Sequence, residues 1–211
     1  DTISPNADIK FGSENNFRYC NINYESGDQE LFLSLDHSFI GNGNNLEGIY
    51  TSALSSSVNA LESLGFSLND TVRHWHFVGE MLKFKNNIQN YQRFNHARKL
   101  IFKDLKDFEY PAASALDGGD TPYVLELVAI KGGEKKSISS KNQTNPFVYT
   151  EKVLPGNPVD NEYDLARPLF NRAMRVQSSS NNWLFISGTA AVKGENTDTS
   201  SSSDCSALKV N

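Results

Sequence analysis

The sequence predicts an α+β fold: one sheet with two helices packed on one face, followed by a partial second copy of the same unit. Three observations carry this. Residues 17–24 (FRYCNINY), 30–36 (ELFLSLD), 71–78 (TVRHWHFV) and 123–130 (YVLELVAI) have the length and the β-branched and aromatic content of strands. Two stripes recur at three and four residues: Ile49, Ala53, Val58, Leu61 and Leu64, then Ile88, Tyr91, Phe94, Ala97, Ile101, Leu105 and Phe108. The resulting order of strand, strand, helix, strand, helix, strand fits one sheet beneath two helices.

The first two strands meet across Ser26-Gly27-Asp28, a hairpin signal, while residues 1–15 are polar and read as frayed. Gly65 stops the first helix. In 71–78, alternation places Val72, His74, His76 and Val78 on one face and Arg73, Trp75 and Phe77 on the other. Pro111 ends the second helix because it lacks the amide a helix needs. Residues 112–115 then read as a tight apolar turn, and Gly118-Gly119 as a sharp one. Strand 123–130 is apolar on both faces except at Glu126, and a lone carboxylate there is costly unless something pairs with it or uses it. A second hairpin runs through 174–176 and 183–187. The organisation expected is a first unit at 1–135, a connector at 136–166, a partial second copy at 167–195 and a disordered serine-rich tail at 196–211.

Composition narrows the function. The chain has 211 residues, enough for one domain and part of another, and 13 Phe to build a core. No apolar run of about 18 residues is present to span a membrane. Lys and Arg total 20 against 25 Asp and Glu, and a net charge of -5 argues against a nucleic-acid surface. Cys20 and Cys205 lie at opposite ends and suggest neither a disulfide framework nor a zinc site. With no signal peptide opening the chain, the expected compartment is the cytoplasm, and the triplets Asn69-Asp70-Thr71 and Asn142-Gln143-Thr144 read as chance matches to a glycosylation site. His74 and His76 share a strand face without a third ligand near in sequence, so no metal is expected, and no cofactor.

Three segments resemble the RidA (YjgF/YER057c/UK114) superfamily: SLNDTVRHWHFVGEM, YPAASALDGG through LELVAIK, and WLFISGTAAVKGE. Taken with YQRFNHAR and the FNRA step, they are most similar to the two-domain chorismatases, which hydrolyse chorismate to pyruvate and a cyclic acid. The resemblance covers about two thirds of the chain. It implies a RidA-like sheet whose apolar face is covered by a trimer, or by one copy packing on another. It also implies a small carboxylate as ligand. Small deaminases of the superfamily carry an arginine two residues after the turn proline, where this chain has Ala113; chorismatases have small residues there. The glutamate that holds the hydrolytic water matches Glu126. The chorismatases' catalytic acid falls in the later part of the second domain, for which no counterpart is read here.

The resemblance therefore puts chorismatase-like hydrolysis of an enol ether first, with Glu126 as the catalytic group. A non-catalytic carboxylate-binding protein and an imine deaminase stand as alternatives. Two carboxylates call for two cationic forks, and Arg172 and Arg93 are the candidates. Ser114 and Thr189 sit at turns where hydroxyls or amides can hold a carboxylate, and Tyr149 can line the pocket. For Glu126 the competing reading is a structural salt bridge to Arg98 or Arg172.

Overall fold

The computed structural model describes residues 6–36, 39, 45–154, 165–188 and 192–197. Chain order is β1 (Ala7–Glu14), β2 (Phe17–Tyr24), β3 (Gln29–Leu35), α1 (Leu46–Ser63), β4 (Thr71–Val78), the ribbon β5 (Phe84–Lys85) and β6 (Ile88–Gln89), α2 (Asn90–Ile101), β7 (Ala112–Asp117), β8 (Tyr123–Lys131), β9 (Glu134–Ile138), β10 (Ala173–Gln177), β11 (Asn182–Ile186), β12 (Val192–Lys193) and β13 (Asn196–Thr197). Six strands form the main sheet in the order β1-β2-β3-β8-β4-β7, antiparallel except for the parallel pair β4 and β7. The α+β class and the two helices are as the sequence predicts.

Both helices pack on one face. Asn45 caps α1 through its Oδ1, which accepts from the Gly48 amide at 2.8 Å. Tyr50, Leu54 and Leu61 from α1 and Phe94 and Ala97 from α2 meet Leu31, Leu33, Leu125 and Leu127 of the sheet, all buried. Each such large side chain is worth about 1.5–3 kcal/mol when fully removed from water. The opposite face is partly covered by a second sheet of order β11-β10-β9, through Val176 and Phe185 against Val72, Val128 and Ile130. Its turn is fastened to the main sheet by the buried Glu30, whose Oε1 accepts from Trp183 Nε1 at 2.7 Å and Asn181 Nδ2 at 2.8 Å.

Several local expectations are corrected. Residues 7–14 are a full strand, not a frayed end, because Asn15 and Asn16 adopt positive φ (47° and 69°) and close a hairpin onto β2. Residues 112–115 are not a turn but the body of β7, in register with β4 from Arg73↔Ala112 to Val78↔Asp117. Helix α2 stops at Ile101, short of Leu105 and Phe108. Phe102, off the apolar stripe, is buried and stacks on Tyr110 with centroids 6.3 Å apart, an arrangement that follows a break after Ile101. An irregularity between Thr71 and Arg73 turns Val72 to the second-sheet face, away from His74 and His76. Strand β9 runs through the expected boundary at 135/136 and pairs with β10, so the second hairpin is built onto a strand continuous with the first unit. The segment 198–211 lies outside the described residues.

His74 and His76 lie in the helix-side core, both completely buried. Burial, then the Arg98 and Arg73 charges, hold both imidazoles well below the usual histidine range. Below about pH 6.5 the unfolded chain therefore binds protons that the folded one refuses, and stability falls as pH drops. We expect a loss of about 2 kcal/mol between pH 7.5 and 5.5, read from urea midpoints. A midpoint flat across that window would contradict neutral core histidines.

Candidate functional site

A cleft of about 310 Å³ opens between α2, the edge of β7, Gly188 and the segments around 149–154, 168–172 and 192–195. That is the small end of ligand-pocket sizes. Its lining includes Tyr91, Tyr149, Phe170 and Ala113, and two arginines, Arg98 and Arg172.

Arg98 comes from the buried face of α2, one turn after Phe94 and one before Phe102, whose rings lie 5.6 and 4.8 Å from its guanidinium carbon. It is 2% exposed. Nη2 donates to the Leu169 carbonyl at 2.7 Å, and Nε has no hydrogen-bond partner. Burial pushes its pKa down to about 10. Arg172 is placed by the edge of β7: the Asn171 amide donates to the Pro111 carbonyl, Asn171 Nδ2 donates to the Tyr110 carbonyl at 2.7 Å, and Asn171 bridges Ala112 in parallel register. Its Nη2 donates to the Thr144 carbonyl at 2.7 Å and to the Tyr149 hydroxyl at 2.6 Å, while Nε is without a partner. Neither arginine is in an ion pair among the described residues. Two buried cations, neither paired with a carboxylate among the described residues, make the cleft suited to an anion.

Tyr91 sits within the field of both guanidinium groups; burial raises its hydroxyl pKa, and Arg98 and Arg172 work against that. The carboxyl in the lining is Glu195, which accepts from the Thr150 amide at 2.8 Å and the Thr150 hydroxyl at 2.7 Å. Those bonds hold it below the usual carboxylate range, in the ionised form. Around it, Gln143 Nε2 donates to the Val192 carbonyl and the Thr144 amide to the Gly194 carbonyl, tying the two segments into one wall.

The sequence candidates divide between faces. Arg172 and Tyr149 come together in the cleft. Glu126 does not join them: it is exposed, on the far face of the sheet, in a shallow groove with Phe11, Phe32 and Trp75. The expected buried carboxylate is thus corrected, and so is the expected salt bridge to Arg98 or Arg172, since β-strand alternation sends Glu126 away from the helix side that carries Leu125 and Leu127. Arg93 is also outside the lining and donates from Nη2 to the Lys85 carbonyl at 2.8 Å. Ser114 stands behind the wall, accepting from Arg73 Nη2 at 2.5 Å and from the Gly188 amide at 2.8 Å. Gly188 packs so closely there that a Cβ would come within 2.6 Å of Ser114 Oγ. Thr189 lies outside the described residues. Arg98, Tyr91, His76 and Glu195 were not read as ligand groups. The spacing of Phe94, Arg98 and Phe102, four apart on one helical face, was the available signal.

No family model matches the chain, and no curated protein matches it. Its fold is that of a chorismatase known from its crystal structure: the two align with a TM-score of 0.66 at 20% identity, over 90% of this chain and 52% of the chorismatase. The chain thus spans about half the length of that enzyme. Looser likenesses are to a putative translation initiation inhibitor from Salmonella typhimurium (TM-score 0.41, 14% identity, 61% of this chain and 98% of that one) and a YjgF/YER057c/UK114 family member from Mycobacterium tuberculosis (TM-score 0.35, 17% identity, 47% and 82%).

The Arg73–Ser114–Gly188 contact yields a direct test of how the wall is held. Ser114→Ala leaves the buried Arg73 guanidinium and the part-buried Gly188 amide short of a partner, which costs about 1–3 kcal/mol for the buried donor. We expect a lowered thermal midpoint; an unchanged one would mean the contact contributes nothing.

Proposed function

We propose that this chain holds a small carboxylate in the cleft between α2 and the wall formed by residues 144–154, 168–172 and 192–195, and that the ligand is chorismate or a similar enol-ether acid. The observation that supports this is the pair Arg98 and Arg172: both buried, both lining one cleft, neither paired with an acid among the described residues. Chorismate offers two carboxylates and a ring, and the cleft offers two guanidinium groups with Tyr91, Tyr149 and Phe170 beside them. The shared fold makes a chorismatase-like hydrolysis that releases pyruvate the reaction to look for.

Of the two roles, holding the ligand has the stronger support. Hydrolysis of an enol ether starts with a proton delivered to the vinyl carbon, and Glu195 is kept ionised by Thr150, so it is set up to stabilise a developing cation and not to donate. A deaminase reading has less support, because the cleft presents Ala113 where that reaction needs an arginine clamp.

The test is chorismate binding by calorimetry, with pyruvate release followed in parallel. Arg98→Lys and Arg172→Lys each keep the charge and lose the fork, and we expect each to weaken binding by about tenfold, since bonds to charged groups are worth about 1.5–3 kcal/mol. Glu126→Gln is expected to leave binding within about twofold, as for a remote surface change. Full-strength binding by both lysine variants would sink the reading. Pyruvate from the wild type would add the hydrolase activity to it.

A further inference from the structure

We propose that His76 takes up a proton when the cleft binds an anion, so that ligand and proton are bound together. This rests on the carboxylate-binding reading above. His76 is completely buried yet lines the cleft. Its Nδ1 is 2.7 Å from the Tyr123 hydroxyl, and its Nε2 has no partner.

The groups acting on that ring are neutral or cationic, and the one carboxylate of the lining, Glu195, stands across the cleft. Strand β4 itself presents His74, with ring centroids 5.4 Å apart, and Arg73. From α2 come Arg98, Tyr91 and the Phe94 ring, 4.8 Å away. From β8 comes Tyr123, whose phenol burial keeps protonated, and β7 contributes Ala113 and Ala115. Across the cleft stand Arg172, Tyr149 and Glu195, the last already committed to Thr150. Among the described residues no carboxylate acts on His76 to favour its charged form; burial and Arg98 both oppose it.

An anion held at Arg98 changes this balance. It brings a negative charge beside Arg98, where the described residues place none, and cancels the repulsion that Arg98 exerts on the imidazolium. The proton comes from solvent and no covalent bond to carbon changes. In the charged ring both nitrogens donate: Nδ1 to the Tyr123 oxygen, Nε2 towards the bound anion. His74 is a built-in contrast, being equally buried but absent from the cleft lining.

Calorimetry with chorismate as the probe, in two buffers of different ionisation enthalpy at pH 6.5 and 8.0, reads the coupling directly. We expect a net uptake of about half a proton at pH 6.5, little at pH 8.0, and binding about twofold tighter at the lower pH. His76→Gln should bind with no uptake and with affinity independent of pH. Should that variant not fold, the imidazole resonances of the wild type, which has four histidines, serve instead: one should move towards the imidazolium position on adding chorismate at pH 6.5. Chorismate binding without proton uptake, or equal uptake by His76→Gln, overturns the inference and leaves the cleft's ligand intact. No binding at either pH overturns the carboxylate reading and this inference with it.

Discussion

Arg98 is a full positive charge removed from water without an acid to answer it among the described residues, and much of the structure is arranged to tolerate that. Taking such an ion out of water costs several kcal/mol even after relaxation. Part of the cost is offset by the Phe94 and Phe102 faces and by the Leu169 carbonyl. What remains shapes its surroundings. The neighbouring histidines, kept neutral first by burial, are held further from charging by Arg98, and the 166–172 stretch is drawn onto α2 through Leu169 and through the Ala166 amide on Gln92 Oε1.

The sheet separates two kinds of work. Its helix side carries the main core and, at the β7 edge, the cleft. Its other side carries the small sheet of β9, β10 and β11, clasped by Glu30, and leaves Phe11 and Phe32 in contact with solvent. Arg172 links the two, because it follows from the strand edge at Asn171 and leads into β10, so that the cleft wall and the second sheet share one piece of chain.

Much of this fold was legible from spacing alone. The two helices, the strands at 17–24, 71–78 and 123–130 and the second hairpin follow from periodicity, and Arg172 and Tyr149, candidates through the resemblance, lie together in one cleft. Three features were hidden for physical reasons. Strand β7 reads Ala-Ala-Ser-Ala, small residues that fit a turn as well as a strand squeezed beside β4. The direction of Glu126 could not be read because both faces of β8 are apolar: Leu125 and Leu127 meet the helices while Val128 and Ile130 meet the second sheet. Arg98 is a charged residue on what pattern reading treats as an apolar face, and only the packing of Leu169 and the aromatics makes it a buried one.

The most direct measurement is thermal unfolding of the wild type and of Arg98→Met, each with and without chorismate. If Arg98 is kept for a ligand at the expense of stability, methionine will melt at or above the wild type in the absence of ligand, and chorismate will raise the melting temperature of the wild type but not of the variant. A methionine variant that melts several degrees lower and is still stabilised by chorismate would make Arg98 a structural residue, and would contradict the account.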